Sequence, residues 1–305
     1  MYPDILLIGE ALIDIVRRAG AKPEYHPGGS PLNVAVGLGR LGHRPILATW
    51  FARDELGRSI EKHCADSQVR ILPGSDQALR TPTADAIVDE DGHADYVFDI
   101  DLQVPPLPMD FHGLVHTGSI GALIQPVATE VLSYIENIRS AFITFDPNCR
   151  PSIMGDVNNL RPLVEGYVEA SNLVKVSDED LQWLYRGRGT TEADLEELAK
   201  AWVGYGPTVV IVTMGAGGAL GVTQDFTVRV TADTSHGLVD TVGAGDSFMA
   251  GLIHEIITGG YTEDQSGLGV DPHVLTTILT RAAAMSGITV SRAGANPPWL
   301  SELGE

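Results

Sequence analysis

Short β-branched runs that close on Gly, Asp or Ser and lead into longer stretches of helical spacing recur along the chain. That is the pattern of strand-to-helix units in a mainly parallel sheet. The predicted strands are 5–8, 113–118, 141–145, 172–176 and 208–214, each followed by a polar or Gly-rich turn where a ligand crevice forms at the carboxyl ends of such strands. Helical spacing predicts helices over 31–41, 57–66, 126–137, 160–170, 178–185, 192–203, 247–258 and 273–286. Two stretches break the repeat. Residues 12–16 continue the first strand as an alternating segment, and residues 84–101 read as two extended runs around an Asp91-Gly92 turn. Together they predict a small sheet outside the main layer. Residues 215–230, extended over 219–222 and 227–230, read as a hairpin late in the main sheet.

Length and composition narrow this picture. The chain has 305 residues, 44% of them hydrophobic, and a mean hydropathy of +0.06, which suits one globular α/β unit with an appendage. No repeat or Pro-rich linker divides it, so residues 1–305 are expected to form a single domain. With 20 basic and 40 acidic residues the net charge is −20, against the clustered positive charge that nucleic acid or an anionic membrane demands. No leader-like segment opens the sequence and no apolar run reaches membrane length, which leads to the expectation of a cytoplasmic protein. Cys64 and Cys149 lack CxxC spacing and read as reduced thiols.

Several reaction classes drop out. The four lysines, Lys22, Lys62, Lys175 and Lys200, precede Pro, His, Val and Ala, so the GxxxxGK[ST] phosphate loop is excluded. GxSxG and HExxH are absent, and Ile8-Gly9-Glu10-Ala11-Leu12 lacks the GxGxxG of dinucleotide-binding oxidoreductases. His112 and His116 span roughly 13 Å of strand, too far for one metal ion; a structural role is expected for each.

The most informative segment is Asp240-Thr241-Val242-Gly243-Ala244-Gly245-Asp246-Ser247-Phe248-Met249-Ala250-Gly251. A buried helix starts just after the glycines. Its N-terminus carries free N–H groups and about +0.5 of an elementary charge, and Gly243 and Gly245 let an anion approach the backbone. Asp246 then has two readings: an N-cap bonding its own helix, or a carboxylate that takes the proton of an attacking hydroxyl beside a bound phosphoryl group.

This segment resembles the C-terminal signature of the ribokinase-like (PfkB) sugar kinases. Gly28-Gly29-Ser30-Pro31-Leu32-Asn33-Val34-Ala35, with Gly37-Leu38-Gly39-Arg40-Leu41-Gly42, is similar to their N-terminal one. The resemblance runs from Gly9-Glu10-Ala11-Leu12-Ile13-Asp14 to Ser291-Arg292-Ala293-Gly294-Ala295-Asn296-Pro297. It implies a three-layer α/β fold, with a mainly parallel central sheet flanked by helices. The small sheet, about 12–26 and 82–103, becomes a lid over the sugar. The resemblance implies Asp246 as catalytic base and Gly243, Ala244 and Gly245 as the anion hole. Asp14, Gly28, Gly29 and Asn33 correspond to sugar-binding positions. The entry to the helix at 31–41 reads as a tight loop with a Ser30 cap. Arg150, in Asp146-Pro147-Asn148-Cys149-Arg150, is similar to the fructokinase and ketodeoxygluconate-kinase branch; it reads as a phosphate or substrate ligand, or as a surface residue in a salt bridge.

The turn Thr213-Met214-Gly215-Ala216-Gly217-Gly218 matches the family's ATP-binding turn, with Thr213, Gly215 and Gly218 as nucleotide contacts. Lys175 reads either as a phosphate contact or as part of a solvated face. The family's NxxE element, which helps organise Mg²⁺, appears here as Ser177-Asp178-Glu179-Asp180; the shorter Asp180 would reach the metal through water. A monovalent cation such as K⁺ would use Asp240, Val242, Thr289, Arg292 and Gly294, largely through carbonyls. Acidic Asp99 and Asp101 at the lid's end disfavour a sugar acid. The resulting expectation is ATP-dependent phosphorylation of a neutral sugar, a ketohexose such as fructose first, with ribose, another pentose, a nucleoside or ketodeoxygluconate behind. A binding module without transfer chemistry is the alternative class. Edges of the small sheet predict a homodimer formed through the lid.

Overall fold

The computed structural model describes residues 4–18, 20–88, 94–138, 141–261 and 269–304. The first third of the chain forms β1 (Asp4–Ile8), β2 (Leu12–Arg18), β3 (Glu24–Gly28), α1 (Ser30–Arg40), β4 (Ile46–Ala48), α2 (Glu55–Asp66), β5 (Arg70–Ile71), β6 (Thr83–Val88) and β7 (Ala94–Asp99). The middle forms β8 (Gly113–Gly118), α3 (Ser119–Leu123), α4 (Val127–Asn137), β9 (Ala141–Asp146), α5 (Pro151–Met154), α6 (Val157–Glu169), β10 (Leu173–Ser177), α7 (Asp178–Leu184) and α8 (Glu192–Val203). The last part forms β11 (Val209–Thr213), β12 (Ala219–Val222), β13 (Thr227–Val230), α9 (Ala244–Thr258) and α10 (Pro272–Val290).

Nine strands make the main sheet, in the order β13-β12-β11-β10-β9-β8-β1-β4-β5. From β11 to β5 every pairing is parallel; β12 and β13 are the antiparallel hairpin foreseen at one end. Parallel strands covered on both faces need apolar residues at every position, which is why the strands read as runs rather than alternations. Along β1, Leu6 and Ile8 enter one core and Ile5 and Leu7 the other. The first core also takes Val131 of α4, Val164 of α6 and Trp202 of α8, and the second takes Leu32 of α1, Ile60 of α2, Ile253 of α9 and Met285 of α10. Helices therefore lie on both faces, giving three layers around one sheet.

Strand order reverses at β1, which pairs with β4 on one side and β8 on the other. Such a reversal opens a crevice at the carboxyl ends of the two strands. From that point the chain passes through Gly9-Glu10-Ala11 into β2, an inner strand of the second, four-stranded sheet, whose order is β3-β2-β6-β7. β3 leads through Gly29 straight into α1. Asp14 is opposite His26 and Ala84, and Ala84 is opposite Phe98, so these four residues share one face of the small sheet.

The predicted strands and helices are present with shifted ends. α9 starts three residues earlier than its apolar spacing suggested, which draws Gly245 and Asp246 into its first turn. β3, β4, β5, α3 and α5 were not foreseen. β4 and β5 have three and two residues, and β3 (EYHPG) carries a proline and no apolar alternation. The Asp91-Gly92 turn lies outside the described residues.

Candidate functional site

The site is built at the carboxyl ends of the parallel strands, where the first turns of α1 and α9 meet. Gly243 caps α9 with φ 75°, in the left-handed region, and a Cβ there would lie 2.6 Å from Ala295 Cβ. Backbone conformation and contact both require glycine. No side chain caps this helix. Asp246, third residue of α9, does not bond its own N–H groups: Oδ1 accepts from Ser30 Oγ at 2.6 Å and Oδ2 from Asn33 Nδ2 at 2.8 Å. The N-cap reading of Asp246 is thereby corrected. Its carboxylate is buried and fixed by donors from α1, while the positive end of α9 stays open to an anion.

The entry to α1 is equally constrained. Gly29, not Ser30, is its N-cap, with φ 110°, and a Cβ on it would sit 2.5 Å from the Glu10 carbonyl oxygen. The expected Ser30 cap is corrected: its hydroxyl serves Asp246. A Cβ on Gly28 would lie 2.1 Å from Asp14 Oδ2, so glycine here makes room for that carboxylate. Burial pushes Asp14 up to about 6, opposed by His26 and Arg150 and reinforced by the charge of Asp246. These three groups are therefore close enough to Asp14 to act on its charge. Arg150 Nη1 bonds Asn148 Oδ1 at 2.6 Å and the carbonyls of Asn148 and Cys149, so its own loop holds it at the rim. Asp99 sits on the face of the small sheet opposite to Asp14 and pairs with Arg80 at 2.6 Å. Of the two lid acids singled out in the sequence, Asp99 therefore faces away from Asp14.

Beneath α9 lies a buried ion pair. Lys175 Nζ, from the middle of β10, is 2.8 Å from Asp146 Oδ2 at the end of β9, and both side chains are at most 4% exposed. The solvated reading of Lys175 is corrected, because the ammonium faces inward beside Gly245, where a Cβ would approach it to 3.5 Å. Burial pushes Asp146 up to about 6; Lys175 pulls it down, and Asp180 and Asp246 push it further up. His116 lies on β8, bonds Thr144 Oγ1 at 3.0 Å and is held neutral by burial, pushed down to about 3. Its other ring nitrogen, Nε2, is buried without a hydrogen-bond partner among the described residues, short of the satisfied structural histidine expected.

Asp180 closes a capping box with Ser177 at the start of α7, and its Oδ1 accepts from Cys149 N at 2.9 Å. Each carboxylate oxygen thus already serves a backbone N–H. Among the described residues no group of three or more His, Cys, Asp or Glu side chains is arranged to hold a metal ion. At the turn expected to meet the nucleotide, Thr213 ends β11, Gly215 has φ 51° with open space beside it, and Gly218 donates and accepts within the turn. A Cβ on Gly218 would lie 2.1 Å from the Val230 carbonyl oxygen, so the hairpin alone already requires that glycine. Asp240 ties two loops together, accepting from Val242 N at 3.1 Å and Gly294 N at 2.8 Å. Thr289 Oγ1 bonds Ser247, and the Arg292 guanidinium pairs with Glu302. These five residues converge behind the glycine loop.

Three functional groups escaped the sequence reading. His26 lies on a strand without apolar signal. Asp146 was read only as part of the DPNxR run, and Glu10 only as part of the N-terminal resemblance. Glu10 is buried at the end of β1, and its carboxylate spans two elements, accepting from Ser30 N at 3.1 Å and Gly121 N at 2.7 Å. A charged residue closing an otherwise apolar strand was the available signal.

The chain is similar to known proteins over nearly its whole length. The model of the pfkB family of carbohydrate kinases matches residues 3–302. A fructokinase of Salmonella typhimurium is 30% identical over 283 residues, covering 88% of this chain and 89% of its own. One from Rhizobium leguminosarum bv. trifolii is 32% identical over 264 residues, covering 82% and 78%. Among solved structures, fructokinase from Vibrio cholerae O395 in its fructose-, ADP- and calcium-bound form is similar with a TM-score of 0.80. It is 26% identical, over 99% of this chain and 98% of that one.

The ion pair beneath the glycine loop makes a prediction of its own. Lys175→Met leaves the Asp146 carboxylate buried without its counter-charge, a loss of about 3–5 kcal/mol. Urea unfolding checks it: the midpoint should fall, and Asp146→Asn added to Lys175→Met should recover part of that fall. An unchanged midpoint in Lys175→Met would mean that the pair does not hold in solution.

Proposed function

Since the chain belongs to the PfkB family of carbohydrate kinases, and is therefore a phosphotransferase acting on an alcohol group, we propose that it phosphorylates a neutral sugar from ATP with Asp246 as general base. The observation that carries this reading is the pair of hydrogen bonds from Ser30 and Asn33, which aims the Asp246 carboxylate into the crevice instead of along its own helix. A sugar hydroxyl bound between Asp14, Gly28, Gly29 and Asn33 would lie against it. As that oxygen attacks the γ-phosphorus, its proton passes to Asp246, the bond from the γ-phosphorus to the β–γ bridging oxygen breaks, and ADP leaves. The developing charge on the transferred group would be met by the backbone of Gly243, Ala244 and Gly245 at the positive end of α9. Phosphoryl transfer needs mainly such positioning and charge stabilisation, and a carboxylate base adds typically about 10²–10⁴-fold.

The nucleotide side of this reading is Thr213, Gly215 and Gly218, with Lys175 as a buried positive charge near the phosphates and Arg150 at the rim. Mg²⁺ bound to the phosphates would neutralise their charge; Asp180, whose oxygens serve backbone groups, would touch it only through water. The loops joined by Asp240 are the proposed place for K⁺, held by carbonyls of the Val242, Thr289, Arg292 and Gly294 region. Fructose is the first choice of sugar, supported by the fructokinases to which the chain is similar and by the two carboxylates in the pocket, which repel a sugar acid. A homodimer through the small sheet is supported by its outer face, where Tyr25, Ile87 and Val97 are 50–58% exposed. No helix among the described residues is long and apolar enough to cross a membrane.

Asp246→Asn should keep fold and nucleotide binding but lose about 10²–10⁴-fold in sugar-dependent ADP release. The assay uses fructose, ribose, tagatose, adenosine and ketodeoxygluconate, each with and without K⁺. Near-normal turnover in the variant, or greatest activity on the sugar acid, would defeat this reading.

Asp14 makes a pH prediction. Its carboxylate is proton-free above about pH 6, able to accept hydroxyl hydrogen bonds, and protonates below that. Sugar Kd, measured by calorimetry, should therefore rise as pH falls through about 6, and Asp14→Asn should flatten that dependence.

A further inference from the structure

We propose that Glu10 and Ser30 are positioning residues for the base: the Glu10 carboxylate fixes the first turn of α1 across the switch-point crevice, and the Ser30 hydroxyl on that turn aims Asp246. The proposal rests on the reading of Asp246 as the base.

The geometry is a continuous chain of short contacts. Glu10 Oε2 accepts from Gly121 N of α3 at 2.7 Å, and the Ser119 hydroxyl bonds the same carboxylate. Oε1 accepts from Ser30 N at 3.1 Å, and Ser30 Oγ donates to Asp246 Oδ1 at 2.6 Å. Glu10, Ser30, Ser119 and Asp246 are all buried. Packing closes the same junction: a Cβ on Gly121 would sit 2.5 Å from Gly9 Cα, and one on Gly29 would sit 2.5 Å from the Glu10 carbonyl oxygen. One carboxylate thus joins β1, α3 and α1 at the place where the strand order reverses.

A buried carboxylate is tolerated only where its lone pairs are met by donors. An apolar residue at this position would leave the Ser30 and Gly121 N–H groups without this acceptor, so part of the role is to satisfy two helix starts. What the carboxylate adds is direction. With the Ser30 N–H tied to Glu10, the first turn of α1 cannot rotate, and the Ser30 hydroxyl meets one oxygen of Asp246 while Asn33 meets the other. A base clamped through both oxygens keeps one orientation toward the crevice. An error of about 1 Å in such an alignment costs on the order of 10²-fold in rate.

The test is a kinetic cycle. Ser30→Ala should lower kcat by roughly 10- to 100-fold with KM for ATP within about twofold, because the Ser30 hydroxyl is bonded to the base. Ser30→Thr, which keeps the hydroxyl, should restore most of the rate. In the Asp246→Asn background Ser30→Ala should have no further effect, since a hydroxyl that acts only through the base has nothing left to aim. Glu10→Gln sets an amide NH₂ against a backbone N–H and should lower kcat in the same way, less than additively with Ser30→Ala. If Glu10→Gln fails to fold, the Ser30 and Asp246 cycle decides alone. A Ser30→Ala enzyme with kcat within twofold of the parent would overturn the proposal. So would an equal loss from Ser30→Ala with and without the Asp246 carboxylate. Near-normal turnover in Asp246→Asn itself is a separate outcome, which removes the base and with it the need for an aiming network.

Discussion

The carboxylate of Asp246 belongs to one helix and is held by another. An aspartate in the first turn of a helix ordinarily folds back on that turn's N–H groups; here Ser30 and Asn33 take both oxygens, and no side chain caps the end of α9, which keeps its partial positive charge for a ligand although the Ala244 N–H donates to the Thr241 carbonyl. Much of the surrounding structure follows from that separation. α1 must start within hydrogen-bond reach of α9, which forces the close approaches at Gly28 and Gly29. Gly243 must turn left-handed over Ala295 to start α9 at the right height.

Charge is distributed by the same logic. A chain of net charge −20 does not draw in a nucleotide through its overall field, so recognition has to be local. Asp14, Asp146, Asp180 and Asp246 all lie near the crevice, yet each has distinct partners: Gly28 and the neighbouring His26 and Arg150, the Lys175 ammonium, the start of α7, and the donors of α1. Lys175 is the cation buried beside the glycine loop, and its pairing with Asp146 places positive charge there without exposing it to solvent.

Long buried strands and amphipathic helices were legible in the sequence because burial on both faces of a sheet leaves an unbroken apolar run, and burial of one helix face leaves a period. Short strands such as β4 and β5 have too few residues for either pattern, and β3 is an edge strand whose ladder partner is β2. Glycines of the site were legible through their clustering and family resemblance, although at Gly218 the hairpin itself accounts for the residue. The partners of polar side chains were not legible. Ser30 has the sequence context of a cap, and only the arrival of α9, 216 residues later, shows its hydroxyl to be used elsewhere. Glu10 and Gly121 are joined by the reversal of strand order, a property of topology that local sequence does not carry.

A crystal structure with fructose and a non-hydrolysable ATP analogue tests the central claim most directly. It should show one sugar hydroxyl within about 2.6–3.2 Å of an Asp246 carboxylate oxygen, Ser30 still bonded to that carboxylate, and the γ-phosphate against the backbone of Gly243, Ala244 and Gly245. A sugar bound with Asp246 turned away from every hydroxyl, or a γ-phosphate lodged outside the glycine loop, would contradict it.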